Sequence, residues 1–336
     1  MQTTIVPVRE VDEVAGARRA ASQCAHALHF SETAGGRVAL AATELATNLV
    51  KHAGGGSLLI SSSDERTDVI DLLTIDKGKG IANLNAAMRD GFSTAGSYGN
   101  GLGSLSRMAS VFDAYSTASG TVMLCRIEDP EKAGRASLPM PSRAGQMKLA
   151  GICVPIPTET QSGDTWAALR SENRVTITIA DGLGHGEGAA DASIRAVRAF
   201  KEANQHPPVD IIRTMHQSLR ATRGAAVGLA RVHLDQSSIE YAGIGNISGT
   251  VFGDETVIRM VSIPGIVGHE MRKVQPFSYR WTAESTLVMH SDGLSANWAL
   301  KSYVGLEQRD PMVIAGVLFR DHCRRTDDAT VVVLKM

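Results

Sequence analysis

Five carboxylates beyond residue 146 stand where chemistry could be done. Asp164 lies in "SGDTW", Asp181 in "ADGLGHGEGAA", Asp292 in "VMHSDGLS", and Asp327 and Asp328 in "RRTDDATVVVL". Each sits at the end of a strand-like stretch, beside small residues. Hard oxygen donors gathered from several strand ends suit Mg²⁺ or Mn²⁺, whereas a single Asp-Gly at a strand end is most often only a turn. The loop after Ala180 raises the choice sharply. Gly182, Gly184, Gly186 and Gly188 alternate between a strand and a small-residue helix, the frame in which backbone N–H groups cradle phosphate. Yet the loop opens with an acid, and Glu187 takes the place of the third glycine of G-x-G-x-x-G. Taken alone, the loop leaves a phosphate, a metal and a plain turn open.

The first half holds a different set. In "TELATNLVKHA", Glu44 and Asn48 are four residues apart, which places them on one helical face opposite Leu45 and Leu49. In "IDKGKGI", Asp76 ends a strand and is followed by Gly78 and Gly80. A carboxylate there can accept an exocyclic amine of a base, and the glycines allow close backbone approach. In "DGFSTAGSYGNGLGSLSRMAS", Gly99, Gly101, Leu102 and Gly103 lead into a helix whose free N–H groups would face an anion. No Walker loop is present. Each piece has a bland reading: a solvated helix face, a turn, a loop.

These residues need elements to hold them. Val14, Ala17, Ala21, Cys24 and Leu28 recur at steps of three and four, predicting an amphipathic helix. A second helix is expected over 37–52, stopped by "AGGG". Strands are expected at 57–63, 68–76 and 121–127, with a helix near 103–111. Residues 128–145, rich in Pro, Gly, Ser and charge, read as a linker. Beyond it, strands are expected at 149–155, 174–180, 226–234, 238–243, 248–252, 286–290 and 329–335. Helices are expected at 188–203, 209–221 and 311–320.

The bulk numbers exclude several classes. A chain of 336 residues points to two domains. A net charge of −1 and 4% aromatics argue against a nucleic-acid partner. No apolar run reaches a membrane span, and "MQTTIVPVREVDEVAGARR" lacks a signal core, so a cytoplasmic location is expected. Cys24, Cys125, Cys153 and Cys323 are widely spaced and read as reduced thiols. The N-I-S triplet at Asn246 reads as chance. His216, His233 and His290 read as structural, and no zinc motif occurs.

In their order along the chain, the Glu44/Asn48, Asp76-Gly78-Gly80 and Gly99-Gly101-Gly103 boxes resemble the GHKL ATPase family. They are most similar to its RsbT-like serine/threonine kinases of bacterial partner-switching systems, over about residues 1–127. The resemblance implies a GHKL (Bergerat) α/β sandwich that binds ATP with Mg²⁺. Asn48 would hold Mg²⁺, Asp76 would read adenine, and Glu44 would be the general base. Lys79 departs from the small residue or proline common in that box. Residues 146–336 resemble the RsbX/SpoIIE-like branch of the PPM phosphatases, through "ADGLGHGEGAADAS", "EYAGIGNI" and "TDDAT". That resemblance implies an α-β-β-α sandwich and a site for two Mn²⁺ or Mg²⁺. Asp181 would bridge, with the Gly182 carbonyl, Asp164, Asp292 and Asp327 as further ligands and Asp328 structural. Leu183 stands where larger relatives carry a histidine, and a loop-stabilising or exposed place is expected for His185. Together the two resemblances imply a bifunctional enzyme acting on Ser or Thr of STAS-domain proteins of the anti-sigma-antagonist or stressosome type. The alternative is a phosphatase whose GHKL part only senses nucleotide or binds a partner.

Overall fold

The structure is a computed structural model that describes residues 3–62, 66–84, 101–133, 146–253 and 256–336. The chain divides into two compact units. One gathers the described residues between Thr3 and Leu138 with Gln308–Arg320. The other gathers those between Pro139 and Glu307 with Asp321–Met336.

The N-terminal unit is a five-stranded antiparallel sheet whose first three helices lie on one face. Its strands are β1 (Thr4–Val8), β2 (Gly56–Ser62), β3 (Val69–Ile75), β4 (Val111–Thr117) and β5 (Gly120–Glu128), in the order β1-β2-β3-β5-β4. Helix α1 (Val11–Ala27) starts from a capping box between Glu10 and Glu13 and buries Ala17, Ala21 and Ala25. Helix α2 (Glu32–Asn48) is capped by Ser31, whose hydroxyl accepts from the Ala34 N–H at 3.3 Å. Val38, Ala41, Ala42, Leu45 and Ala46 form its buried stripe and pack on Leu58, Ile60, Ile70, Leu72 and Ile127. The helix then widens into a π turn, Leu49–Ala53, closed by Gly54 in the left-handed conformation. A short helix, α3 (Gly101–Met108), completes this layer.

The sheet's other face is also apolar, with Leu59, Leu73, Val122 and Leu124 buried. Within the unit, Gly316 meets this face: a Cβ there would stand 2.8 Å from Leu73 and from Val122. Beside it, the Asp71 carboxylate takes two hydrogen bonds from Arg126, at 2.6 and 2.8 Å. Asp310 lies 3.4 Å from the same guanidinium, and its N–H donates to Asp113 at 2.6 Å. A segment far along the chain is thus tied into this sheet by buried charge as well as by packing.

The other unit is a sandwich of two five-stranded antiparallel sheets. The first runs β13-β10-β9-β8-β7 and the second β12-β11-β14-β15-β6. The strands are β6 (Lys148–Val154), β7 (Asp164–Ser171), β8 (Arg174–Gly182), β9 (Ala225–His233), β10 (Ser238–Ile244), β11 (Ser248–Phe252), β12 (Val257–Arg259), β13 (Phe277–Arg280), β14 (Thr286–His290) and β15 (Ala329–Lys335). Trp166, Ile177, Ile179 and Tyr241 of the first sheet interlock with Leu287, Met289, Val332 and Leu334 of the second. Helices α4 (Glu187–Ala203) and α5 (Pro208–Ser218) cover the outside of the first sheet through Phe200, Ile211, Ile212 and Met215. Helix α6 (Pro311–His322), which belongs to the N-terminal unit as far as Arg320, is apolar almost all round, and Pro311–Leu318 are buried.

Candidate functional site

Antiparallel pairing of β7 with β8 sets Asp164 directly opposite Asp181. Asp292 follows β14, and Asp327 and Asp328 precede β15. These two strands are hydrogen-bonded neighbours, so their adjacent ends present these acids together. Two Asp-Gly steps are locked in the same way. A Cβ on Gly182 would lie 2.0 Å from the Ala189 carbonyl oxygen, and one on Gly293 would lie 2.0 Å from the Asp328 carbonyl oxygen. Only glycine fits either place, and each preceding carboxylate is anchored by that close contact.

Asp164 is buried, and its Oδ2 accepts from the Ser291 hydroxyl at 2.6 Å. The Ser291 oxygen in turn accepts from the Thr330 N–H at 3.0 Å. Asp292 accepts from the Asn246 amide at 2.7 Å. Asp328 is spent on the backbone: its oxygens accept from the N–H groups of Ile156 and Gly163, both at 2.8 Å. Asp327 accepts from the Asp328 N–H at 2.9 Å. Asp181 has no hydrogen-bond donor among the described residues.

Burial pushes the Asp181 carboxyl well above the usual range, and Asp164, Asp292, Asp327 and Asp328 push it further. Burial also raises Asp164, against the Ser291 hydrogen bond that opposes it. Asp292 rises through burial and the nearby Asp327. Among the described residues, no three His, Cys, Asp or Glu side chains close into a ready-made metal cage. The carboxylates nevertheless feel one another, and the donor set is all hard oxygen with a deficit of positive charge. That chemistry fits divalent cations, which would draw the groups inward.

His185 turns to Glu159, at 2.8 Å, and its side chain is 58% exposed. It serves the loop. Asn246 and Ser291 escaped the sequence reading, because an amide and a hydroxyl beside an acid carry no spacing signature. The "GNI" and "HSDG" stretches that hold them were in view.

In the N-terminal unit, Glu44 and Asn48 lie part-buried in the last turns of α2, just before the π turn. The Asn48 Nδ2 is buried without a hydrogen-bond partner, a donor that a bound group would satisfy. Asp76 is buried, and its Oδ1 accepts from Gly78 N–H at 2.8 Å and Thr121 N–H at 3.1 Å. Gly80 has φ +71°, and a Cβ there would lie 2.0 Å from the Thr117 carbonyl oxygen. Ser116 holds the loop by accepting from Ile81 N–H at 2.7 Å, and it shares a 2.9 Å hydrogen bond with Thr121. Ser116 and Thr121 were not singled out from sequence. Gly101 and Gly103 lie in the first turn of α3, and Leu102 packs toward the core. Gly99 lies outside the described residues, as does most of the 128–145 stretch. No described helix is long and apolar enough to cross a membrane.

Comparison with known proteins finds one family match in each part of the chain. The family model "Histidine kinase-like ATPase domain" matches residues 8–126, and that of "Stage II sporulation protein E (SpoIIE)" matches 171–336. The serine/threonine-protein kinase RsbT of Bacillus subtilis is 32% identical over 107 residues, 32% of this chain and 80% of RsbT. The phosphoserine phosphatase RsbX of the same organism is 23% identical over 135 residues, 40% of this chain and 67% of RsbX. A chain from a structural study of the bacterial stressosome aligns with a TM-score of 0.54 at 24% identity, over 56% of this chain and all of its own. RsbX in complex with magnesium aligns with a TM-score of 0.50 at 18% identity, over 56% of this chain and 94% of its own. The PP2C domain of SpoIIE from Bacillus subtilis, with a regulatory fragment, aligns at 0.50 and 17% over 82% of this chain and 81% of its own. The structural likenesses establish the PP2C (PPM) fold. Over residues 8–126 the chain belongs to the histidine kinase-like ATPase family, alongside RsbT, and it carries that domain fused to a SpoIIE-type PP2C domain related to RsbX.

Proposed function

We propose that the protein is a bifunctional partner-switching regulator of the bacterial cytoplasm. Its N-terminal unit phosphorylates Ser or Thr on STAS-domain proteins with ATP and Mg²⁺, and its PP2C unit removes such phosphates. The observation that carries this reading is the union in one chain of an RsbT-like and an RsbX-like region.

In the PP2C unit, Asp164, Asp181, Asp292, Asp327 and the Gly182 carbonyl would hold two Mn²⁺ or Mg²⁺. Bound cations supply polarisation of water and neutralisation of phosphoryl charge. Ser291 orients Asp164 and Asn246 orients Asp292, while Asp328 braces the Gly163 turn ahead of Asp164. With both its oxygens spent on backbone N–H groups, Asp328 supports Asp327 as the ligand of the pair.

In the ATPase unit, Glu44 would accept the hydroxyl proton of the protein substrate and Asn48 would help hold Mg²⁺. Asp76, fixed by two backbone N–H groups, would take the adenine amine. Gly78, Gly80, Gly99, Gly101, Leu102 and Gly103 would frame the nucleotide. Such phosphoryl transfer needs mainly positioning and charge neutralisation. Two opposed activities on one residue would only consume ATP, so they act under opposed control or on different residues.

The test incubates the purified chain with STAS-domain proteins encoded near it, first with ATP–Mg²⁺ and then with Mn²⁺ alone. Mass spectrometry should show a phosphate gained and then lost. If Glu44→Ala leaves ATP-dependent phosphorylation unchanged, the kinase assignment fails and the ATPase unit is a nucleotide sensor or partner-binding module.

A further inference from the structure

The carboxylate cluster has one cation at its rim that the roles above leave unused. Residues 322–324 pair with 293–295. The Ser295 N–H donates to the His322 carbonyl at 3.0 Å, Leu294 and Cys323 form an antiparallel bridge, and the Arg324 N–H donates to the Gly293 carbonyl at 2.9 Å. This short ladder fixes the Arg324 backbone beside the Asp292-Gly293 step. The next residue, Arg325, holds φ +58°, a left-handed conformation costly for a side chain of its kind. There the chain turns toward Asp327.

The Arg324 side chain is exposed and makes no ion pair or hydrogen bond among the described residues. The Arg324 backbone stands on the residue that follows Asp292 and three residues before Asp327 in the chain, so it lies beside the acids without pairing with any of them. Arg223, another cation of this region, is already engaged, its guanidinium 3.4 Å from the His185 carbonyl. A guanidinium placed beside, but not bound to, carboxylates that await cations has its donors free for an oxyanion. Its planar fork matches two oxygens of a phosphate monoester.

We propose that Arg324 is a substrate-binding residue that grips the phosphate of the phosphoprotein at the rim of the PP2C site. The inference rests on the phosphatase reading of that site. The strained turn at Arg325 keeps the Arg324 backbone on Gly293, so the phosphate would be held where Asp292 and Asp327 face it.

The test measures Mn²⁺-dependent hydrolysis of p-nitrophenyl phosphate and inhibition by inorganic phosphate in the full chain. Arg324→Ala should raise KM and the inhibition constant for phosphate together, by about 10-fold or more. The half-activating Mn²⁺ concentration should stay put, and Arg324→Lys should restore part of the loss. Unchanged KM and phosphate inhibition in Arg324→Ala would overturn the proposal. So would a shifted Mn²⁺ requirement at constant KM, which would mark Arg324 as a partner of the acids. An inactive wild type would instead count against the phosphatase reading. Calorimetric titration of the Mn²⁺-treated chain with inorganic phosphate then decides the proposal: weaker binding in Arg324→Ala supports it, and equal binding overturns it.

Discussion

Asp71 and Asp181 are both carboxylates that burial pushes upward, and they are treated in opposite ways. Asp71 lies on a sheet face of the ATPase unit with its partner built in, since Arg126 grips both its oxygens. Burial works against the charge on Arg126, yet Asp71, with Asp310 and Glu128, outweighs it and holds the guanidinium charged. Asp181 lies among four other acids, with no donor of its own among the described residues. One region closes its electrostatic account internally, while the other leaves positive charge to be supplied. A buried charge with its partner built in and a cluster of unneutralised acids differ in this way, although each begins as an acid on a strand.

Changes on either side can break the contrast. The largest effect is expected at Asp181→Asn, which should abolish Mn²⁺-dependent phosphate release. It should also raise the melting temperature of the metal-free chain by removing a carboxyl whose charge burial, and then the neighbouring acids, oppose, as calorimetry would show. A lower melting temperature would mean that Asp181 is structurally paired after all. Next comes Arg126→Ala, which strands Asp71 and should cost about 3–5 kcal/mol of stability by denaturant unfolding. Arg126→Met with Asp71→Leu should recover much of that loss, whereas no such rescue exists for an acid whose partner is a metal.

A smaller effect concerns the orphaned amide of the ATPase unit. ATP with Mg²⁺ at 100 times its Kd should stabilise the wild type by about 2.7 kcal/mol. Asn48→Ala should remove most of that gain in a thermal-shift measurement, while Glu44→Ala should keep it and lose phosphotransfer. The smallest effect is expected at Asn246→Ala, which frees the Asp292 carboxylate. Phosphatase activity or Mn²⁺ affinity should fall about 10- to 100-fold, with the fold intact by circular dichroism.

Much of this was legible before any coordinates. The period of three and four that begins at Val14 became α1, and the runs at 248–252, 286–290 and 329–335 became strands at those residues. What escaped notice had weak local signal. The strand Thr4–Val8 is short and carries a proline. The strand Val111–Thr117 is half-exposed and interrupted by Asp113, and the expected helix near 103–111 in fact ends at Met108. The strand Asp164–Ser171 alternates poorly, because Trp166, Ala167 and Ala168 are all buried. Its first residue was nonetheless picked out, since an acid after Ser-Gly is conspicuous. Expecting the second helix over 37–52 missed the Ser31 start and ran across the π turn, whose geometry leaves no mark on residue type.

By itself, the sequence determined the residue classes and their order: acids beside glycines at strand ends, Glu44 and Asn48 on one helix face, and two regions with different periodicities. Those follow from local rules, in which spacing sets the face and glycine permits the approach. Tertiary structure alone decided where each acid stands and which groups it meets. Only the pairing of β7 with β8 sets Asp164 against Asp181, and only the Gly163 and Ile156 N–H groups separate Asp328 from Asp327. It also assigned Gln308–Arg320 to the ATPase unit, though the roughly 170 residues from Pro139 to Glu307 lie between. Burial, charge and hydrogen bonding depend on distance in space, and distance along the chain does not report it.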